Sequence, residues 1–173
     1  TAYEIYQCDW SSDVCSSDLY TKGILERVYA VERLLEKYPQ WRNRFSFVQV
    51  AAPSRSTLPE YRAFQQRIHD ETDRINGRFG NAGWQPIRLL AEHHDSDAVN
   101  ELYRAAEVCV VTSLHDGMNL VCKEFVAARD DLAGVLILSR FAGAARELNE
   151  ALIDRKSTRL NSSHTDISRM PSS

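Results

Sequence analysis

The sequence predicts an α/β fold built on a doubly wound parallel sheet. Short apolar runs alternate with amphipathic segments along the chain, and the run VCVVT at 108–112 is apolar throughout, as expected of a strand covered on both faces. In such sheets ligands bind outside the carboxyl ends of the strands. The loops after Ala52, Thr112 and Leu138 are therefore predicted to carry any binding site.

The first half of the chain is predicted to form two helices and two strands. Apolar residues recur at three- and four-residue steps over 21–37, which predicts a helix that Pro39 ends. The run FSFVQVAA at 45–52 mixes β-branched and aromatic residues and predicts a buried strand. A second helix is predicted over 59–76, followed by a brief strand over 87–90.

The second half continues the alternation of helix and strand. A short helix is predicted over 95–106, and the apolar run at 108–112 is the clearest strand of the sequence. A helix over 119–129 and an apolar strand over 135–138 follow, and a last helix is predicted over 143–152. This order favours parallel strands joined by helical crossovers.

The two ends differ from the middle in composition. A DNA sequence that encodes residues 8–19 (CDWSSDVCSSDL) has a complementary strand that encodes 154–164 (DRKSTRLNSSH) in another frame. That DNA resembles a common short-read sequencing adapter. We therefore interpret 1–19 and 154–173 as non-native tails, exclude them from the fold, and assign 20–153 as the genuine segment. Two disordered tails are the alternative.

Composition and charge exclude several functions. The 21 basic and 24 acidic residues give a net charge of −3, which does not favour nucleic acid. No apolar run approaches the roughly 18 residues of a membrane span, and no signal peptide is evident. The cysteines lack the spacing of metal ligands, and His93 with His94 is interpreted as a polar loop. We expect no metal, buried thiols at Cys109 and Cys122, and a cytoplasmic location.

The sequence DGMNLVCKE at 116–124 carries the strongest local signal. It joins the strand predicted at 108–112 to a helix through a turn that contains glycine. Amides at a helix N-terminus and the positive end of the helix dipole favour an anionic diphosphate. Glu124, about one turn inside the helix, is placed to accept hydrogen bonds from ribose hydroxyls. An ordinary helix cap produces the same spacing, so both interpretations stay open at this point.

A family resemblance extends this local signal over the whole of 20–153. DGMNLVCKEFVAAR resembles the DGMNLV-AKE-VAAR signature of the family-20 glycosyltransferases, the trehalose-6-phosphate synthases. Similar stretches are YTKGILER, FVQVAAPSR, PEYRAF, RINGRFG, WQPIRLL, LYRAAEV and GVLILSRFAGAAREL. The resemblance implies a GT-B fold, in which two Rossmann-like domains face each other across a cleft. This chain would be a partial Rossmann-like sheet from the C-terminal, donor-binding domain.

The resemblance implies a retaining glycosyltransferase of trehalose biosynthesis. It would transfer glucose from UDP-glucose to glucose 6-phosphate, giving trehalose 6-phosphate, with no cofactor and no metal, and it leaves open whether the parent enzyme is a homo-oligomer. The fragment itself is expected to be inactive, because catalysis needs groups from both domains. Two alternatives are a non-catalytic UDP-sugar-binding regulatory subunit and a related family member such as a glucosylglycerol-phosphate synthase.

The resemblance also implies roles for individual residues. Asp116 would be the catalytic group that holds hydroxyls of the transferred glucose, and Arg55 would bind the phosphate of the acceptor. Lys22 would bind the donor diphosphate, and Glu124 would grip the ribose. The implied donor-binding residues are Lys22, Gly117, Met118, Asn119, Leu120, Val121 and Glu124.

The match to the family pattern has two departures. Ser17 stands where an arginine is usual, so one of two cations for the donor phosphates is missing, and His115 stands where arginine is frequent. Without the resemblance, Lys22 and Arg55 would be interpreted as solvated charges.

Overall fold

Six strands form one parallel sheet in the part of the chain that the structure describes. The computed structural model describes residues 3–9, 22–51, 59–90, 95–114, 116–131 and 133–154. The strands are β1 (Tyr3–Asp9), β2 (Phe45–Ala51), β3 (Ile87–Leu90), β4 (Val108–Val111), β5 (Val135–Ser139) and β6 (Leu152–Asp154). All their pairings are parallel.

The strand order is β3-β2-β1-β4-β5-β6. The chain moves outward from β1 to β3 on one side and then from β4 to β6 on the other. This is the order of a doubly wound Rossmann-like sheet, so the predicted fold class is confirmed. The order reverses between β1 and β4, and Lys22 and Gly23 lie there against Asp116 and Thr112, which follow β4. Ligands of open α/β sheets bind in the crevice there.

Helices pack on both faces of the sheet. The four helices of the described ranges are α1 (Ile24–Lys37), α2 (Pro59–Phe79), α3 (Ser96–Ala105) and α4 (Leu120–Ala128). Phe45 and Phe47 of β2 lie in one core cluster with α1 and α2, whereas Val48 and Val50 lie in another with α3 and α4. Successive strand residues point to opposite faces, so these clusters lie on opposite sides of β2. None of the helices in the described ranges is long and apolar enough to cross a bilayer.

Most element boundaries agree with the predictions to within three residues. The helix predicted over 21–37 begins instead at Ile24, because Gly23 adopts a left-handed conformation with φ 68°. A Cβ atom at Gly23 would lie 2.7 Å from the carbonyl oxygen of Thr112 at the end of β4. Glycine is therefore required both for the backbone angle and for the close approach of the two loops.

The predicted helix over 143–152 is wrong. The chain forms a short 3-10 turn at Gly143–Arg146 and then the edge strand β6. The amides of Gly143 and Ala144 donate to the carbonyl oxygens of Asp116 and Met118, at 3.0 Å each. These bonds hold the segment against the loop after β4, and tertiary contacts therefore override the local helical pattern.

Part of the predicted non-native tail 1–19 lies in the sheet as β1. Tyr3–Asp9 lies in the middle of the sheet and pairs over seven residues with β2 and at Ile5 and Tyr6 with β4. Parallel pairing uses backbone N–H and C=O groups, so a short segment of strand-forming residues can occupy this position. Residues 10–19 and 155–173 lie outside the described residues, and the adapter origin of the tails stays a prediction.

Candidate functional site

The polar residues predicted to form the site lie at the switch point of the sheet. Lys22 follows β1 in the chain, and Asp116 follows β4, so both lie beyond the carboxyl ends of neighbouring strands. Asp116 also forms an isolated parallel bridge with Ala142, which follows β5. Segments that are far apart in sequence are thereby brought to one edge of the sheet.

The centre of the site is an ion pair between Lys22 and Asp116. The Lys22 ammonium Nζ lies 2.8 Å from Oδ2 of Asp116, and the two side chains are 20% and 12% exposed. The Asp116 carboxylate also accepts hydrogen bonds from the backbone amide of Asn119 at 3.1 Å and from its side-chain Nδ2 at 3.0 Å. These donors fix both carboxylate oxygens in position.

The surroundings of Asp116 favour its ionised form. Burial opposes ionisation of this carboxyl, but the hydrogen bonds from Lys22 and from Asn119 outweigh it and hold the pKa of Asp116 below its ordinary value of 3.8. The carboxylate is therefore charged at neutral pH and acts as a hydrogen-bond acceptor.

Asn119 joins the Asp116 loop to the start of α4. It is buried and adopts a left-handed φ of 65°, and its Oδ1 accepts a hydrogen bond of 3.1 Å from the amide of Cys122. The same side chain thus caps α4 and orients the carboxylate of Asp116. The first amides of α4, which include those of Leu120 and Val121, have no acceptor within the helix and form the positive end of its dipole.

Two apolar side chains of the loop are open to solvent. Met118 is 51% exposed and Leu120 is 54% exposed, whereas the neighbouring Val121 is buried against the sheet. The loop therefore presents its backbone and these two side chains outward from the site.

Glu124 lies one turn inside α4 and is partly exposed. Its Oε2 accepts a hydrogen bond of 3.1 Å from the hydroxyl of Tyr103, a residue of α3 that is 1% exposed. Tyr103 is not among the site residues predicted from the sequence. Tyr103 lies in the apolar face of α3, and no local pattern links it to Glu124, because the two residues are 21 positions apart in the chain.

Arg27 is a second residue that was not predicted from the sequence. The residue is 2% exposed, and its guanidinium donates to Gln49 Oε1 at 3.0 Å, to the carbonyl oxygen of Lys22 at 2.6 Å, and to Thr112 Oγ1 at 3.0 Å. These acceptors tie α1 to β2 and to the end of β4. The sequence does indicate an unusual role for Arg27, because this charged residue interrupts an apolar helix face at the i+3 position from Ile24.

The loop after β4 and the turn after β5 approach each other closely at two glycines. A Cβ atom at Gly143 would lie 1.9 Å from the carbonyl oxygen of Gly117, whereas a Cβ at Gly117 would meet nothing within 4 Å. Gly143 is therefore needed for packing against the site loop. The space that a side chain at Gly117 would occupy is free of the surrounding residues that the structure describes.

The buried thiols predicted at Cys109 and Cys122 are confirmed. Burial raises the pKa of the Cys122 thiol to about 11, so this group is a packing residue at neutral pH. Arg55, His93, His94 and His115 lie outside the described residues. In the described ranges, no three His, Cys, Asp or Glu side chains lie together as a metal site would require.

The fold and the site define a Rossmann-like α/β domain with a charged loop and a helix N-terminus at its switch point. Comparison of the sequence with protein families agrees with this class. The chain belongs to glycosyltransferase family 20, whose sequence model matches residues 14–154.

Two curated relatives are close in sequence. The chain is 50% identical over 134 residues to a bifunctional trehalose-6-phosphate synthase/phosphatase of Thermoproteus tenax, and the match covers 78% of this chain and 18% of the relative. It is 48% identical over 135 residues to a trehalose-6-phosphate synthase of Enterobacter sp. strain 638, covering 78% of this chain and 28% of the relative. The chain thus spans less than a third of the length of these relatives.

Solved structures of similar proteins share the fold. A UDP-forming alpha,alpha-trehalose-phosphate synthase of Burkholderia xenovorans, in complex with glucose-6-phosphate, superposes with a TM-score of 0.81 at 42% identity, covering 91% of this chain and 33% of that one. A trehalose-6-phosphate protein of E. coli bound with UDP-2-fluoro glucose gives the same TM-score and identity, covering 91% and 34%. The resemblance to the family and the predicted α/β class are confirmed.

Proposed function

We propose that this chain supplies part of the donor site of a retaining glucosyltransferase, which transfers glucose from UDP-glucose to glucose 6-phosphate and gives trehalose 6-phosphate. The observation that carries the proposal is the Lys22–Asp116 pair of 2.8 Å at the switch point, beside the N-terminus of α4. It rests further on family membership and on the relatives whose structures contain glucose-6-phosphate or UDP-2-fluoro glucose.

In this proposal the donor diphosphate binds between Lys22 and the N-terminus of α4. A lysine ammonium carries three donors, so the bond to Asp116 does not exhaust its capacity. The backbone amides of Leu120 and Val121 add donors and the positive end of the helix dipole. The leaving diphosphate gains negative charge during transfer, and these groups stabilise that charge without a metal or another cofactor.

The transferred glucose contacts the loop after β4. The carboxylate of Asp116 is ionised and held by Lys22 and Asn119, so it accepts hydrogen bonds from sugar hydroxyls in a fixed orientation. The open side of Gly117 allows close approach of the sugar to the backbone, and exposed Met118 lies beside it. Glu124, one turn further on, accepts hydrogen bonds from the ribose hydroxyls of the uridine.

The acceptor site is assigned to Arg55, as the group that binds the phosphate of glucose 6-phosphate. We place the activity in the cytoplasm, which agrees with the free thiols at Cys109 and Cys122. The chain by itself is expected to bind UDP but not to transfer glucose, because positioning of donor and acceptor needs the second domain.

Titration calorimetry of the 173-residue chain with UDP tests the donor site. Lys22→Met and Glu124→Gln should each weaken UDP binding at least about tenfold, which corresponds to about 1.4 kcal/mol. Lys37→Met is a matched control, because Lys37 is an exposed lysine in the last turn of α1. Unchanged UDP affinity in Lys22→Met and Glu124→Gln would refute the donor-site assignment.

A transferase assay of the full-length parent separates the remaining alternatives. Formation of trehalose 6-phosphate that is lost in Asp116→Asn supports the proposed synthase. UDP-glucose binding without transfer to glucose 6-phosphate would indicate the regulatory subunit. Transfer to a glycerol phosphate in preference to glucose 6-phosphate would indicate the related glucosylglycerol-phosphate synthase.

A further inference from the structure

We propose that Tyr103 is a positioning residue which orients Glu124 for recognition of the ribose and sets the preference for ribose over deoxyribose. The inference rests on the proposed function, because it assigns a partner to the carboxylate that grips the ribose. Tyr103 belongs to α3 and Glu124 to α4, and their side chains meet where these two helices pack together.

The position of the Tyr103 hydroxyl is fixed by its surroundings. The side chain is 1% exposed, and its ring packs edge to face against Phe125, with 6.2 Å between the centroids and 79° between the planes. The carbonyl oxygen of Tyr103 also accepts a hydrogen bond of 3.2 Å from Nη1 of Arg129. Ring and backbone are both held, so the hydroxyl points to one place, and there it donates to Oε2 of Glu124 at 3.1 Å.

The bond from Tyr103 restricts the carboxylate without blocking it. An ionised glutamate accepts hydrogen bonds at about four lone-pair positions, so a donor at Oε2 leaves room for two ribose hydroxyls. A partly exposed glutamate without such a donor samples several rotamers, and their loss on binding weakens affinity. A buried tyrosine donor removes this cost before the ligand arrives. The 2′-hydroxyl is the group that a correctly oriented carboxylate distinguishes from hydrogen.

Tyr103→Phe tests the inference, because phenylalanine keeps the ring and its packing and removes only the hydroxyl. Calorimetry with UDP and 2′-deoxy-UDP as probes should show about a tenfold loss of the UDP preference, with 2′-deoxy-UDP affinity changed less than about twofold. Tyr29→Phe is the matched control, since its hydroxyl accepts from Arg67 between α1 and α2 and should leave the preference unchanged.

A double-mutant cycle shows whether Tyr103 acts through Glu124. In the Glu124→Gln background, Tyr103→Phe should leave the ratio of the two affinities unchanged. Equal weakening of UDP and 2′-deoxy-UDP by Tyr103→Phe would overturn the inference, since it would show a merely structural role. The Glu124→Gln variant alone keeps the Tyr103 hydroxyl and should also lose the preference for UDP over 2′-deoxy-UDP.

The failure of the proposed function has a different signature. If the wild-type chain does not bind UDP, both proposals are refuted. If it binds UDP and 2′-deoxy-UDP equally while Lys22→Met weakens both, the diphosphate site stands and the role of Tyr103 is refuted. If the wild type prefers UDP and Glu124→Gln abolishes that preference while Tyr103→Phe retains it, the donor site stands and the role of Tyr103 is refuted.

Discussion

Replacement of Arg27 by methionine should strongly destabilise this fold. Arg27 is 2% exposed, and its guanidinium donates to acceptors on β2, at the end of β4, and in the backbone of Lys22. Methionine retains much of the apolar stem, so the change isolates the loss of the charged donor group. The variant removes this donor from Oε1 of Gln49, which is buried, and from Oγ1 of Thr112, which is partly buried.

The expected cost can be estimated from these three bonds. A hydrogen bond from a charged donor contributes about 1.5 to 3 kcal/mol to stability. The three bonds share one side chain and are not additive, and removal of the buried charge itself offsets part of the loss. We therefore expect Arg27→Met to lower the free energy of unfolding by about 2 to 4 kcal/mol, out of a total of about 5 to 15 kcal/mol.

Urea unfolding followed by circular dichroism measures this free energy. Arg33→Met is the matched control on the same helix, because the Arg33 side chain is 79% exposed and lies 3.7 Å from Glu36; its effect should stay within about 0.5 kcal/mol. Arg27→Lys should fall between the two, since lysine keeps the charge but cannot reach all three acceptors. A loss below about 1 kcal/mol in Arg27→Met would refute the reasoning, because one such bond alone contributes more.

Three further outcomes are expected at single positions. Gly143→Ala should destabilise the chain by roughly 2 to 3 kcal/mol, because the new Cβ would lie 1.9 Å from the carbonyl oxygen of Gly117. Gly77 lies in α2, and a Cβ there would meet nothing within 4 Å. In the same urea assay, Gly77→Ala should therefore stabilise the chain by about 1 kcal/mol. The pKa of Asp116 in the folded chain lies below its ordinary value of 3.8. The ionised carboxylate therefore stabilises the fold above pH 3.8, and this contribution is lost as the pH falls through the folded pKa. The difference in free energy of unfolding between wild type and Asp116→Asn should therefore be constant near neutral pH and shrink below about pH 4. Burial holds the pKa of the Cys122 thiol at about 11, so iodoacetamide at about pH 8 should modify Cys122 in the folded chain far more slowly than in urea, as mass spectrometry would show.

Each of these outcomes can be contradicted directly. Equal stability of Gly143→Ala and Gly77→Ala would show that the two loops are not tightly packed. If the difference in free energy of unfolding between wild type and Asp116→Asn persists below about pH 4, an ionised Asp116 is not the source of that difference. Equal alkylation rates of Cys122 in folded and unfolded chains would show that the thiol is accessible.

Local patterns in the sequence predicted local structure well. The run at 108–112 became β4, the helix predicted over 95–106 became α3, and Asp95 caps α3 by accepting a hydrogen bond of 2.8 Å from the amide of Ala98. The DGMN loop was predicted to precede a helix start, and Asn119 caps α4 there. These features depend on residues a few positions apart, which a sequence displays directly.

The predictions failed where tertiary contacts override local preference. The turn at Gly143–Arg146 is held by hydrogen bonds to Asp116 and Met118, and these contacts replace the predicted helix. Residues 1–19 were interpreted as a non-native tail because their coding DNA resembles an adapter, and the backbone of Tyr3–Asp9 nevertheless pairs with β2 and β4. Sheet pairing is satisfied by backbone groups, so the origin of a segment does not determine whether it can pair in a sheet.

The sequence by itself determined the α/β class, the order of most helices and strands along the chain, and the family resemblance. Only the tertiary structure decided the order β3-β2-β1-β4-β5-β6 and thereby placed Lys22 against Asp116 across 94 positions of sequence. It alone revealed Arg27 as the link between α1 and two strands, and Tyr103 as the partner of Glu124. The physical reason is that periodicity and capping are encoded by neighbouring residues, whereas these contacts depend on which faces pack together once the sheet has formed.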